Sequence, residues 1–348
     1  MLGIMSQSPI RVGFLGTGFI ATYHSKSLKR GGANILRAGI YDPDLKRATA
    51  FAAASGHSVC ASEDGVIDSA DAVFVCAWTS EHLRLVRKVV SAGKAVFCEK
   101  PLGCSLTDSR ALVDAVVASG VINQVGLVLR HAPAYLWTRE LITDPRAGRV
   151  MNVVFRDDQF IPIQSYYASS WRSDVERAGS GTLLEHSIHD VDMMRFLIGE
   201  ITEVGMRSSN FHGYPGIEDT VSATLRFGNG AVGTLSSVWH DNLTRPSQRR
   251  VEIFCEHRTI TIRGHEWFGP VEWNDADGTS GSLEGDELLR RTEPLAYGAT
   301  NPDVAFICAV ADHTPAFPTV TTALQAHVVV DAMYCSASAN GATVTIDA

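Results

Sequence analysis

Three stretches of the chain place reactive side chains where chemistry could be done. Glu99-Lys100-Pro101 closes the apolar run AVFCE, so an ammonium falls where a buried strand should stop, and proline restricts the backbone that carries it. In GSGTLLEHSIHDVD, residues Glu185, His189 and Asp192 stand at i, i+4 and i+7. On a helix over 182–198 this spacing puts two carboxylates and an imidazole on one narrow face. Leu184, Ile188, Val191, Met194 and Ile198 cover much of the remainder, so the helix should be largely buried. A polar stripe there needs internal hydrogen-bond partners or a site. An imidazole can exchange a proton near neutral pH, and an ammonium can stabilise a developing oxyanion. Metal binding through Glu185, His186 and His189 is disfavoured, because His186 points about 100° away from Glu185 on a helix, so no metal is expected.

The third stretch is Gly16-Thr-Gly18-Phe-Ile-Ala21, between an apolar strand and a helix. Gly16 permits a tight turn, Gly18 lets a pyrophosphate approach the backbone, and Ala21 allows close helix packing. Phosphates would meet the free N–H groups at the start of that helix. Asp42 follows Gly18 by 24 residues at the end of the next strand, either as acceptor for ribose hydroxyls or in an Asx turn with Pro43. As acceptor it would repel a 2′-phosphate and favour NAD, a preference weakened by Lys46 and Arg47, with NADP as the alternative. Ala77-Trp78-Thr79-Ser80-Glu81-His82 ends a further strand and should face the same ligand.

These groups need a frame. Apolar strands at 10–16, 35–41, 58–60, 71–77, 95–99 and 121–129 alternate with helices at 20–30, 45–55, 64–67, 81–92 and 107–119. That pattern predicts an α/β fold, a doubly wound parallel sheet covered on both faces. Beyond Arg130 the period changes: a helix at 134–143, a strand at 149–162, the helix at 182–198, then strands at 202–211, 219–227, 231–240, 249–257 and 259–264. Hairpin-like junctions predict antiparallel pairing of consecutive strands, with one face against helices and the other open. A helix at 321–339 and a strand at 343–346 close the chain, and DADGTSGS (275–282) reads as a loop. The expected division is a Rossmann domain over 1–130 and an α+β domain over 131–348, with the 321–339 helix packing back on the first.

The 348 residues carry a net charge of −8, which argues against nucleic acid and anionic membrane partners. Arg245, Arg249 and Arg250 form the densest basic stretch and read as a solvated turn. Seven unpatterned cysteines read as reduced core thiols, and MLGIMSQSP lacks the features of a signal peptide, so a cytoplasmic location without a membrane span is expected.

Taken together, the glycine turn, Glu99-Lys100-Pro101, Gly126 to Arg130, Gly179-x-Gly181 with Glu185, His189 and Asp192, and Tyr334-x-Ser336-Ala337 resemble the Gfo/Idh/MocA oxidoreductases. The resemblance implies an NAD(P)-dependent Rossmann domain joined to a domain whose large, mainly antiparallel open sheet makes homodimer or homotetramer contacts. It also implies oxidation of a sugar or cyclitol hydroxyl, or reduction of the matching ketone. Lys100 and His189 would then flank the reacting hydroxyl, with Glu185 beside them. Cofactor contacts are expected from Gly16, Gly18, Phe19, Ile20 and Asp42, from Ala77, Trp78, Thr79 and His82, and from Glu99, Lys100 and Arg130. Substrate contacts are expected from Tyr166, Trp171, Arg172 and His240 besides Lys100, Glu185 and His189, with Tyr167 a further candidate. Two departures bear on substrate: Glu185 stands where inositol dehydrogenases commonly carry Asp, and Ala77-Trp78-Thr79 replaces the usual Thr-Pro-Asn turn. The competing readings are NAD-assisted glycosidic elimination or hydrolysis through transient oxidation, and a non-catalytic dinucleotide-binding regulator.

Overall fold

The computed structural model describes residues 8–265 and 267–346, which leaves most of the MLGIMSQSP segment outside the described residues. The chain divides into two compact units.

The first unit comprises the chain up to Gly103, Thr107–Gly126 and Tyr297–Thr322. It is built from β1 (Ile10–Leu15), α1 (Phe19–Arg30), β2 (Ile35–Tyr41), α2 (Leu45–Ser55), β3 (Ser58–Val59), α3 (Glu63–Ser69), β4 (Ala72–Val75), α4 (His82–Ser91), β5 (Ala95–Cys98), α5 (Leu106–Ser119) and β6 (Asn123–Val125). The strands form a six-stranded parallel sheet in the order β3-β2-β1-β4-β5-β6. Every residue of β4 and β5 is buried, as runs of Val, Phe, Ala and Cys between helices require. Aromatic rings fill one face. Phe74 stacks on Phe14 at 5.0 Å and on Phe97 at 4.7 Å, and Phe306 meets Phe74 edge-on at 5.5 Å.

The second unit comprises Cys104–Leu106, Leu127–Ala296 and the chain from Ala323 onward. Its elements are α6 (Pro133–Thr143), β7 (Val150–Phe160), α7 (Val175–Ala178), α8 (Ile188–Ile198), β8 (Ile201–Ser209), β9 (Thr220–Phe227), β10 (Val232–His240), β11 (Gln248–Cys255), β12 (Arg258–His265), β13 (Gly269–Asp275), β14 (Ser280–Leu283) and α9 (Gly285–Thr292). After the return through α10 (Pro302–Asp312) of the first unit come α11 (Val320–Ser338) and β15 (Val344–Thr345). The sheet runs β14-β13-β12-β11-β7-β10-β9-β8-β15. Burial alternates strictly along β9, whose inward residues Val221, Ala223, Leu225 and Phe227 join α6, α8 and α11 in one core. The opposite face carries Ser222, Thr224, Arg226, Thr234 and Thr261.

Several expectations are corrected. The N-terminal part of the first unit stops at Gly126 rather than Arg130, since the run 121–129 yields only the short β6 before a tight turn at Val128–His131, and the unit also takes in Tyr297–Thr322. The C-terminal element that packs on the parallel sheet is α10; α11 buries Ala326, Val329, Val330 and Met333 in the second unit's core instead. Consecutive strands β10 and β11 do not pair, because β7 lies between them, parallel to β10 and antiparallel to β11. Within DADGTSGS only the tip is a turn, and β14 begins at Ser280. The seven cysteines are all free, but only Cys76, Cys98 and Cys255 are buried.

Candidate active site

In the first unit the glycine turn joins β1 to α1. Gly16 has φ +87° and no room for a side chain, since a Cβ would lie 2.6 Å from the carbonyl oxygen of Cys76. Gly18 differs: its φ is −73°, and a Cβ there would meet open space. Nothing inside the fold demands glycine at position 18, which is the signature expected where a ligand must reach the backbone. Gly18 is also the N-cap of α1, with no side-chain cap and no acidic residue in the first turn. No side chain caps the N–H groups at that end, and the donor set fits the pyrophosphate of a dinucleotide. Phe19 is exposed and Ile20 half-buried beside it.

Asp42 makes the Asx turn, one of its two sequence readings. One carboxylate oxygen accepts from the Thr17 N–H (2.9 Å) and hydroxyl (3.0 Å), and the other closes an Asx turn on the Asp44 N–H (2.9 Å). Arg47 stands 3.7 Å away. Three of about four lone-pair positions are thus used, which leaves capacity for a ribose hydroxyl.

His82, fully buried at the start of α4, lies between two strand-end turns. Nδ1 lies 2.7 Å from the Pro101 carbonyl oxygen and Nε2 3.2 Å from that of Ala77. Burial lowers its pKa despite these carbonyls, so the ring is neutral and donates from one nitrogen. Trp78 is half-buried and Thr79 buried in the turn after Ala77. At the end of β5, the backbone N–H of Lys100 donates to the Glu99 carboxylate (3.2 Å), and the Lys100–Pro101 peptide is cis.

In the second unit the segment that bears His189 is not a uniform α-helix. Leu183–Ser187 form a π turn before α8 begins at Ile188. The wider turn adds about one residue, so the expected single stripe is redistributed. Glu185 is buried and faces Arg172, at 2.7 Å, while Asp192 accepts a bidentate pair from Arg130 at 2.8 and 2.7 Å. Arg130, expected at the cofactor, is thus engaged with α8 and lies 4.9 Å over the Phe196 ring. His189 is half-buried between these two pairs along the chain.

Glycine-rich 179–181 has a clear cause. A Cβ on Gly181 would fall 1.8 Å from the backbone oxygen of Glu218. The Glu218 carboxylate caps the start of the π turn: Oε2 accepts from Gly181 N (2.8 Å) and Ser180 Oγ (2.7 Å), Oε1 from Leu183 N (2.9 Å) and the Tyr334 hydroxyl (2.9 Å). All its lone-pair positions are filled, and its charge complements the positive helix end. Ser336 accepts from the Met206 N–H at 2.9 Å. Tyr334-x-Ser336 therefore supports the site-bearing helix and the sheet.

The supposed solvated arginine turn is also corrected. Arg249 is buried on β11, 2.8 Å from both Asp157 and Asp190, and His186 Nε2 lies 2.7 Å from Asp157. Burial, then the Asp157 charge, raises Asp190 to about 7 against the pull of Arg249. Arg249→Leu strands the buried Asp190 and leaves Asp157 with His186 alone, and should cost about 3–5 kcal/mol, read as a lower urea midpoint; an unchanged midpoint would contradict this account of the network.

Around Arg172 the walls are aromatic. Its guanidinium lies 4.7 Å over the Trp171 ring, and Trp171 and Tyr214 pack against the buried cluster of Ile161, Ala178, Ile217 and Trp239. Tyr166 and Tyr167 are 4.4 Å apart on a loop in which Ser165 and Ala168 hold positive φ, a conformation that non-glycine residues adopt at a cost. His240 turns toward Asp158, at 3.6 Å, and accepts from the Asn242 N–H. Sequence reasoning missed Glu218, Asp157 and Tyr214, none of which carries a local motif. Among the described residues no group of three or more His, Cys, Asp and Glu side chains could hold a metal ion, and no helix is long and apolar enough to cross a membrane.

Comparison with known proteins agrees with this construction. Residues 10–127 match the model of an oxidoreductase family with an NAD-binding Rossmann fold, and residues 135–261 match the GFO/IDH/MocA C-terminal domain. The chain belongs to the Gfo/Idh/MocA family of oxidoreductases. Inositol 2-dehydrogenase of Rhizobium meliloti is 28% identical over 93% of this chain and 95% of its own length. The 1,5-anhydro-D-fructose reductase of Ensifer adhaerens is 30% identical over 65% of this chain, an alignment that spans 62% of the relative. A levoglucosan dehydrogenase solved with NADH and levoglucosan superposes with a TM-score of 0.86, covering 98% of this chain and 100% of that one at 22% identity, a likeness of fold.

Proposed function

We propose that the protein oxidises a secondary hydroxyl of a sugar, sugar derivative or cyclitol with NAD, or reduces the corresponding ketone. One observation carries the reading: Gly18 needs no side-chain space inside the fold, yet stands glycine before an uncapped helix end. Gly16, Gly18, the α1 N-terminus and Asp42 would hold the dinucleotide. When bound, NAD supplies the hydride acceptor.

The remaining chemistry belongs to the chain. Lys100, fixed through its backbone at the end of β5, hydrogen-bonds the substrate oxygen and stabilises the negative charge that develops there. His189 takes the hydroxyl proton as general base. Glu185 and Arg172 neutralise each other, so this part of the pocket offers donors and acceptors without net charge, which suits a neutral polyol. Trp171, Tyr166 and Tyr167 supply faces for the C–H side of such a ring. The family names among the relatives, inositol and anhydrosugar enzymes, support the same substrate class. The open face of the nine-stranded sheet is the surface for self-association; equilibrium sedimentation that finds only monomer would rule this out.

The test is a panel of myo-inositol, scyllo-inositol, levoglucosan and free hexoses with NAD and NADP, followed by absorbance of reduced nicotinamide. Turnover with at least one is expected, and an empty panel would contradict the proposal. Asp42→Ser should weaken NAD about tenfold, by loss of one charge-assisted hydrogen bond, and narrow the preference over NADP. An unchanged cofactor ratio would remove Asp42 from the binding site.

A further inference from the structure

The first unit contains a buried charged triad that the proposed chemistry does not use. His24 on α1 is 1% exposed, with Nδ1 2.7 Å from Asp303 Oδ1 and Nε2 2.9 Å from Glu99 Oε1. Each ring nitrogen faces a carboxylate, and only a doubly protonated ring can donate to both. Burial opposes that charge, but the two carboxylates outweigh it and raise the pKa to about 10. Cys76 also lies close to both carboxylates, and burial and their charge hold it as a neutral thiol; Cys98 and His82 feel the Glu99 charge as well. Phe97, at 4.9 Å, and Phe74, at 5.5 Å, seal the remaining sides of the ring.

Glu99 immediately precedes Lys100, and its other oxygen accepts the Lys100 backbone N–H. Gly126 leaves room for this carboxylate, since a Cβ there would lie 2.2 Å from Oε1. Asp303 arrives from α10, which the sheet holds through Phe306. A continuous chain of contacts thus runs from α10 through His24 and Glu99 to the backbone of Lys100.

We propose that His24 is a positioning residue for Lys100: clamped by Asp303, its imidazolium fixes the Glu99 carboxylate, which in turn sets the backbone from which the catalytic ammonium extends. This rests on the assignment of Lys100 to the reacting oxygen. Among the described residues no hydrogen bond of the triad reaches the glycine turn, so it should govern the chemical step more than NAD binding.

Two measurements test it. In histidine-labelled holoenzyme at pH 8, nitrogen NMR should show one imidazole with both ring nitrogens protonated, absent from His24→Gln; no such ring at pH 8 overturns the proposal. His24→Gln should lower kcat about 10- to 100-fold, the scale for a misplaced reacting group, while NAD affinity changes less than about threefold. His24→Gln/Glu99→Gln, which removes cation and anion together, should recover most of that loss. If His24→Gln does not fold, Asp303→Asn is read in its place, with the same split between kcat and NAD affinity expected. Unchanged kcat in a folded variant, or parallel loss of kcat and NAD affinity without recovery in the double variant, overturns the role. Lys100→Met separates the two claims. If it retains turnover, or if the panel yields no substrate, both fall; if it abolishes turnover while His24→Gln does not alter kcat, only the role of His24 falls.

Discussion

Lys100→Met should lower kcat/KM by about 10²- to 10⁴-fold while NAD affinity stays within a few-fold. Methionine keeps much of the stem and removes the ammonium, so the loss isolates charge and hydrogen bonding at the substrate oxygen. The backbone that carries residue 100 is fixed independently of its side chain, by the Glu99 carboxylate on its N–H and by His82 on the neighbouring Pro101 carbonyl. The variant therefore keeps its turn, and the effect falls on kcat rather than on folding. His189→Ala should produce a similar loss with a flattened pH profile. Pre-steady-state measurement of nicotinamide reduction checks both, and wild-type turnover in either variant would remove that residue from the mechanism.

The second large effect is structural. Gly181→Ala should destabilise the protein by at least about 3 kcal/mol, the upper range for forcing atoms into a packed interior. A Cβ at position 181 would fall 1.8 Å from a backbone oxygen, on Glu218, which cannot rotate away as a side chain could. The same residue donates its N–H to the Glu218 carboxylate, so any retreat also breaks the cap on the segment that holds Glu185 and His189. Against a typical total stability of about 5–15 kcal/mol, the variant should melt far below wild type. A thermal midpoint within a degree or two of wild type would show that the loop yields freely.

Much of the first unit was legible because its physics is local. Runs such as AVFV and AVFC are buried on both faces, and the glycine turn sits between strand and helix. Helix α10 was missed for a reason of the same kind. PDVAFICAVAD is apolar nearly all round, so it shows no amphipathic period, and its partner rings lie more than 200 residues away in sequence. The β13–β14 hairpin is rich in Gly, Ser and Asp and offers weak strand signals. Around the candidate site, Lys100, His189 and Glu185 were visible through residue type and spacing. The π turn was not, because one extra residue in a helical turn leaves no pattern in composition. Arg249 was read as solvated since its partners, Asp157 and Asp190, come from elements that only the fold brings beside it. His24 gave no local signal for the same reason: its two carboxylates are separated from it by 75 and 279 residues.

The most direct test follows the transferred hydrogen itself. A substrate from the panel, deuterated at the carbon to be oxidised, should deliver its label to C4 of the nicotinamide, with one reduced cofactor formed per carbonyl product and a slowed rate relative to the protiated compound. Product that accumulates without net nicotinamide reduction, or with the label left on the sugar or lost to water, would contradict the assignment.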